Sequence, residues 1–385
     1  MKLGWETKKL GDVCELYQPK TISSKEMIEY GEYPVFGANG IIGKYNKYNH
    51  EEPQLLITCR GATCGSVNIS EPNSWINGNA MVVKPIDNLL NLKFIEYLFR
   101  GGIDISKTIT GAAQPQITRQ TLSPVLISYP KSLSEQQRIV AILDNAFAAI
   151  AKAKANAELN LKNTKVLFES YLQGVFDNYG EGWEENIIKE VCDLKSGTTI
   201  SPSLERLEGD VLYTKVSDMN LPGNEIEINT SSRFVNSKEI KINQIIPEGA
   251  IIFPKRGGAI ATNKKRKVIK PTIVDLNTMA IIPSNKIDKD YFFYWFQLFD
   301  LNSISNGTSI PQINNYSFDE VHIPYPSSVK EQRQIVQQID NLLTETVQLG
   351  TNYKRKLYDL EELKKSVLQK AFAGELNTSK MEVFS

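Results

Sequence analysis

Apolar or small residues recur at Ile139, Leu143, Ala146, Ile150, Ala153, Ala157, Leu161, Phe168, Tyr171 and Val175. Their spacing alternates between four and three, which is the pattern of a helix that buries one narrow stripe. No proline or glycine interrupts this run before Gly174. Ser134, with Gln137 three residues on, predicts where the helix starts. At about 1.5 Å per residue, a helix from Ser134 to Phe176 is roughly 60 Å long. A second such helix is predicted from near Val329, with its stripe at Ile335, Ile339, Leu342, Leu349, Tyr353, Leu360, Leu363 and Val367. Gly350 is the place for a kink. A lone helix cannot bury so long a stripe, so the two are expected to pack antiparallel on each other. The alternative is that each packs only on its own globular part.

Upstream of each helix the period changes. Short β-type runs alternate with turns: QLLIT, AMVVKP and SPVLISYP before the first helix, and DVLYTKV, AIIFPK, MAIIPS and VHIPYP before the second. Each part also carries one short aromatic helix, KFIEYLF and YFFYWFQLF. Their apolar context assigns these to the core rather than to base stacking.

The two halves repeat one another. GAAQPQITRQTLSPVLISYPKSLSEQQRIVAILDN from Gly111 matches GTSIPQINNYSFDEVHIPYPSSVKEQRQIVQQIDN from Gly307, at a constant offset of 196. GWETKKLGDVCEL from Gly4 matches GWEENIIKEVCDL from Gly182, at an offset of 178. The second half is therefore 18 residues longer ahead of its midpoint. The period is far above that of a solenoid, so this is a duplicated domain. The edges of the repeat agree and the middles do not. This suggests two different targets held by one scaffold; drift of surface loops after duplication is the alternative. The predicted layout is mixed α/β, with two duplicated domains separated by a long antiparallel two-helix coiled coil. Residues 1–132 and 179–328 form the globular parts; residues 133–178, and 329–385 with the tail, carry the helices.

Charge is balanced, with 44 basic and 44 acidic residues, so any basic surface must be local. Cys14, Cys59, Cys64 and Cys192 are too few for a disulfide framework, and His50 and His322 too few for a histidine-based metal site. No metal site is expected. The opening MKLGWETKKL lacks the apolar core of a leader, and no membrane-length apolar run follows. A cytoplasmic location is the expectation. FGANGIIG is neither a dinucleotide fingerprint nor a phosphate-binding loop, and no N-P-P-Y or D-P-P-Y tetrapeptide occurs. No catalytic residue is assigned.

Positive charge is local at 255–270, KRGGAIATNKKRKVIK, with seven basic groups and no acid. Such a run attracts phosphate, and arginine and asparagine can also pair with base edges. Candidate DNA contacts here are Lys255, Arg256, Asn263, Lys264, Lys265, Arg266 and Lys267. Arg256 is the first choice for a base contact, with Lys264 to Lys267 on phosphates. In the first half, Arg60-Gly61 matches Arg256-Gly257 at the 196 offset. Asn39, Lys44, Tyr45 and Lys47 complete that candidate surface. The bland reading of both segments is a solvated loop.

The order of these parts resembles the specificity subunit of type I restriction-modification systems. The resemblance covers nearly the whole chain and rests on GAAQPQI, GTSIPQI, SEQQRIVAILD, KEQRQIVQQID and the tail KAFAGEL. It implies a non-catalytic chain with two target recognition domains, each reading one half of a bipartite, asymmetric site on double-stranded DNA. It implies helices that hold those domains apart and dock two methyltransferase subunits, with restriction subunits joining outside. Gln114, Pro115 and Gln116, Ile310, Pro311 and Gln312, Glu135 and Gln136, and Glu331 and Gln332 carry the motif and are the candidates for partner or loop roles. GAAQ stands where the second copy has GTSI, which sets the first loop apart. S-adenosylmethionine, ATP and Mg are implied for the partners only, and no cofactor for this chain. The alternatives are a two-domain coiled-coil scaffold or ligand-binding protein without DNA recognition, and an unrecognised nuclease or methyltransferase.

Overall fold

A computed structural model describes residues 4–87, 89–111, 113–307 and 309–376. Ala112 and Thr308, within the two motif loops, and residues 377–385 of the tail lie outside the described residues. The chain forms two units, 1–159 with 353–385, and 160–352. The expected mixed α/β architecture is present in both, and each long helix contributes a segment to both.

In unit 1, β1 (Trp5–Lys9) pairs antiparallel with β9 (Leu126–Pro130), Trp5 facing Pro130. A four-stranded sheet follows the order β2 (Cys14–Tyr17), β8 (Ala80–Pro85), β5 (Leu55–Thr58), β6 (Val67–Ile69). A three-stranded sheet follows β4 (Gly40–Tyr45), β3 (Tyr33–Gly37), β7 (Trp75–Ile76), antiparallel at β3–β4 and parallel at β3–β7.

Unit 2 repeats this plan. β10 (Trp183–Ile187) pairs with β19 (His322–Pro326), Trp183 facing Pro326. β11 (Cys192–Ser196), β18 (Thr278–Pro283), β15 (Ile251–Pro254) and β16 (Arg266–Val268) form the main sheet, which gains β13 (Glu227–Ile228) at its edge. β14 (Phe234–Val235), β12 (Val211–Thr214) and β17 (Thr272–Val274) form the small sheet with the same senses of pairing. The middles, unlike in sequence, thus share a topology. They differ in one connection. β3 and β4 are joined by the tight turn Ala38–Asn39, whereas residues 215–233 lie between β12 and β14 and include β13. Most of the extra length of the second half is spent there.

The long helices run Leu133–Asp177 and Val329–Ala373. The first starts just ahead of the Ser134 signal and the second at the expected Val329: the Ser132 carbonyl accepts from the amides of Glu135 and Gln136, and Ser328 serves Glu331 and Gln332 in the same way. Every predicted stripe position of the first helix is buried or half-buried. In the second, the helix continues unbroken through Gly350, and Leu349 and Leu363 are exposed instead of buried. Thr346 takes the buried place, folding its hydroxyl back onto the Leu342 carbonyl at 2.9 Å.

Within unit 1 the helix segments are antiparallel. Lys154 bonds Glu361 at 2.7 Å, while Lys364 lies over the Phe147 ring. Ile139 and Leu143 from the first helix and Leu368 and Ala371 from the second complete the core around Phe94 and Ile95. Gly101 and Gly102 make this approach feasible: a Cβ on them would meet Leu368 at 2.8 Å and Phe372 at 2.5 Å. In unit 2 the roles exchange. Leu172 and Phe176 of the first helix pack with Val336 and Ile339 of the second around Tyr291, Phe292 and Phe296. Both aromatic helices are core, as their context predicted. Truncating one such buried Phe would cost about 3–5 kcal/mol.

Candidate nucleic-acid interface

The residue after β5 and the residue after β15 are held by the same backbone lock. Ile117 N–H donates to the Cys59 carbonyl at 2.9 Å, and Gly61 N–H to the Pro115 carbonyl at 3.1 Å. Ile313 donates to Lys255 at 2.9 Å, and Gly257 to Pro311 at 2.8 Å. The P-Q-I loop of each half therefore grips the R-G segment of the same half and brings Gln116 beside Arg60, and Gln312 beside Arg256. Gly61 (φ +87°) and Gly257 (φ +71°) both take the left-handed conformation that turns the chain out of its strand. Gln116 also closes its loop on Thr110, and Gln312 on Asn306. Gln114 and Ile310 sit at the exposed tips. The shared loops thus act on the chain's own backbone.

What projects from the lock is an arginine. Arg60 and Arg256 are exposed, and neither guanidinium has a hydrogen bond or ion pair among the described residues. The rest of the basic run is engaged. Lys255 donates to Ser196 at 3.0 Å, and burial, then the neighbouring Arg256, lowers its pKa. Lys264 bonds the Asn220 side chain, Lys267 pairs with Asp290 across the Phe293 ring, and Lys270 donates to the Asn229 carbonyl at 2.8 Å. Arg266 donates to the carbonyls of Lys265 (2.9 Å) and Met219 (3.2 Å), and burial lowers its pKa. Asn263, at φ +50°, accepts from Leu301 N–H at 3.0 Å and donates to the Phe299 carbonyl at 3.2 Å.

Lys265 departs furthest from its expected role on phosphate. Only 1% of it is exposed. Its ammonium donates to the Phe299 carbonyl, at the end of the helix Lys289–Leu298, and lies over the Phe296 ring. Carbonyls at a helix C-terminus attract a cation. Burial nevertheless pushes its pKa down to about 7.

In unit 1, Asn39 bridges Thr63 (2.6 Å) and Thr58 (2.9 Å), and Thr58 also donates to the Ala38 carbonyl at 2.7 Å. This fixes the β3–β4 tip against the loop that bears Arg60. The tip exposes Ile41 and Ile42, and Lys44 and Lys47 are exposed beyond it. Tyr45 is half-buried, its ring nearly perpendicular to that of Trp75 with centroids 5.3 Å apart. In unit 2 the place of the tip is taken by the connection 215–233. It is built on two buried side chains. Asp218 accepts from Lys215 N–H and from Ser231, and Asn224 accepts from the amides of Asn229 and Thr230. Asn220 and Met219 tie it to Lys264 and Arg266. In both units an unlike element therefore lies beside the shared arginine loop. No sequence signal marked this connection beyond the extra length itself.

The E-Q pairs divide. Gln136 and Gln332 are fully buried, and each bonds only to its own unit. Glu135 pairs with Arg138 at 3.5 Å, while Glu331 is exposed at the helix start. A repeated contact that the sequence reading missed ties each helix further: Tyr97 donates to Asp144, and Tyr294 to Asp340. Leu167 (52% exposed) and Leu363 (48%) occupy equivalent positions of the repeat. Among the described residues no cluster could hold a metal ion, the four cysteines form no disulfide, and no helix is long and apolar enough to cross a membrane.

The family model for the type I restriction modification DNA specificity domain matches residues 2–161 and 180–358. The type I restriction enzyme EcoDI specificity subunit of Escherichia coli is 25% identical, over 98% of this chain and 89% of the relative. The MjaVIII specificity subunit of Methanocaldococcus jannaschii is 23% identical, over 98% and 94%. Among solved structures, the HsdS subunit from Thermoanaerobacter tengcongensis has the same fold, with a TM-score of 0.71 at 18% identity over 98% of both chains. A chain from structural work on complex assembly and conformational transition of the type I R-M system superposes with a TM-score of 0.73 at 18% identity, over 98% of this chain and 99% of its own. The duplicated frame, the paired long helices and a family match in each half agree: this chain belongs to the type I restriction-modification DNA specificity family.

Proposed function

We propose that this chain binds double-stranded DNA at a bipartite, asymmetric site, one part read by each unit, and positions two adenine methyltransferase subunits on it. It does so without catalysis of its own, and restriction subunits join through the methyltransferases. The observation that carries this is the pairing, in each unit, of a shared frame with an unlike exposed element. A shared frame can fix how a duplex is held, and unlike elements can choose different bases. The β3–β4 tip with Lys44 and Lys47 serves one half-site, and the connection 215–233 with Lys264 the other. The equivalent exposed leucines, Leu167 and Leu363, support docking of two copies of one partner. Lysines 264 and 267 can exchange their present partners for phosphates, whereas Lys265 stays inside. Mapping methylated adenines in the source genome, with and without this gene, is the test. A two-part motif that disappears on deletion is the expected result; a methylation pattern that is unchanged rejects the reading.

A further inference from the structure

We propose that Arg60 and Arg256 are a matched pair of phosphate anchors, one per half-site, which set affinity and leave base choice to the unlike elements beside them. This rests on the DNA-binding reading above and assigns a role within it. Arg256 then gives up the base-reading role that its sequence context suggested.

The reason lies in what the two residues share. They stand at the same point of the repeat, two residues past the main-sheet strand, with a left-handed glycine next. The same two backbone hydrogen bonds from a P-Q-I loop hold each of them, so both are launched from one geometry. Both are exposed, and their guanidinium groups are unpaired among the described residues. In the run 255–270, the other six of the seven basic side chains already have a partner within the chain.

An identical device placed in two readers cannot discriminate between two different half-sites. It can serve only what both half-sites have in common, and every duplex offers the phosphate backbone. A guanidinium fork matches a phosphate bidentately, and a backbone locked at two points spends little entropy to aim it. The elements that differ, the β3–β4 tip and the connection 215–233, are those that differences in sequence require.

The test uses the full chain purified with its methyltransferase partner. Arg60→Ala, Arg256→Ala, the double variant and the two Arg→Lys variants are compared on the mapped site, on an unrelated duplex and on half-site libraries, at several salt concentrations. Because neither side chain bonds within the chain, the variants should fold, and thermal unfolding checks this. Each Arg→Ala change is expected to weaken the cognate and the unrelated duplex by the same factor, roughly tenfold. The slope of log K against log salt should fall by about one per arginine, while the preferred bases stay the same. Lysine at either position should keep most of the slope. If Arg256→Ala instead relaxed one base pair of one half-site and left binding to unrelated DNA and the salt slope unchanged, Arg256 would be a base reader and the proposal would fall. A wild-type assembly that ignores duplex DNA would overturn the DNA-binding reading itself, a different and separable failure.

Discussion

Gln136 donates its side-chain amide to the Pro130 carbonyl at 2.8 Å, and so joins the start of a long helix to the strand that leads into it. The same amide reaches the Leu89 carbonyl at 3.0 Å and accepts from Asn91 N–H at 2.7 Å. Gln332 repeats all three bonds, with Pro326, Lys286 and Asp288. Both residues are fully buried, so neither can meet a partner protein. Gln136→Leu would remove the partner of one buried and two part-buried backbone groups and should cost about 2–3 kcal/mol. Urea unfolding with a probe in each unit checks this: Gln136→Leu is expected to weaken unit 1, and Gln332→Leu unit 2.

Lys265 makes stability depend on pH in a stated direction. Its folded pKa, about 7, lies below the value of a free lysine. The unfolded chain therefore binds more protons between pH 7 and about 10, and stability gains as pH rises through that window. It is lost again as pH falls toward 7. Lys265→Met removes the titration. Measured against that variant, wild type should gain about 1–3 kcal/mol between pH 7 and 9.5. A constant difference between the two across that range would show that the folded chain leaves the amine at the pKa of a free lysine.

The unlike elements should control one half-site each. Ile41, 54% exposed on the β3–β4 tip, is suited to an apolar base contact such as a thymine methyl. Ile41→Ser should change base preference in one half of the methylated motif and leave the other half as it was. Substitutions at Asn220 in the connection 215–233 should do the converse. Motif mapping reads both, and a change in both halves from one substitution would contradict the division.

Leu167 and Leu363 are expected to act separately on partner number. Mass measurement of the assembly at saturating partner should give two methyltransferase subunits for wild type, one for Leu167→Gln or Leu363→Gln, and none for the double variant. A double variant that retained two subunits would place docking elsewhere.

Much of this fold was legible because it is periodic or repeated. The first helix showed in its stripe from Ile139 to Val175, and the runs QLLIT and AIIFPK became β5 and β15. The second helix misled at Leu349 and Leu363, since a count of leucines passes over a buried threonine whose hydroxyl bonds its own helix. The common topology of the middles was not legible at all. Two-residue strands such as β7 and β13 carry too little alternation to detect. Of the candidate interface, Arg60 and Arg256 could be paired from the offset alone. The burial of Lys265 could not be read, because a lysine among lysines looks solvated until the aromatic helix beneath it is placed. The same holds for Asn263, whose amide serves the chain and not a base edge.

Unit 1 is assembled from 1–159 and 353–385, so its core waits for Leu368 and Ala371. A ribosome makes these residues after the whole of unit 2. Unit 2, complete within 160–352, can close while the face around Gly101 and Gly102 still lacks its cover. Unit 1, begun before unit 2, is therefore finished after it, and a chain that stalls before Leu368 carries one closed unit and one open core, a natural handle for quality control.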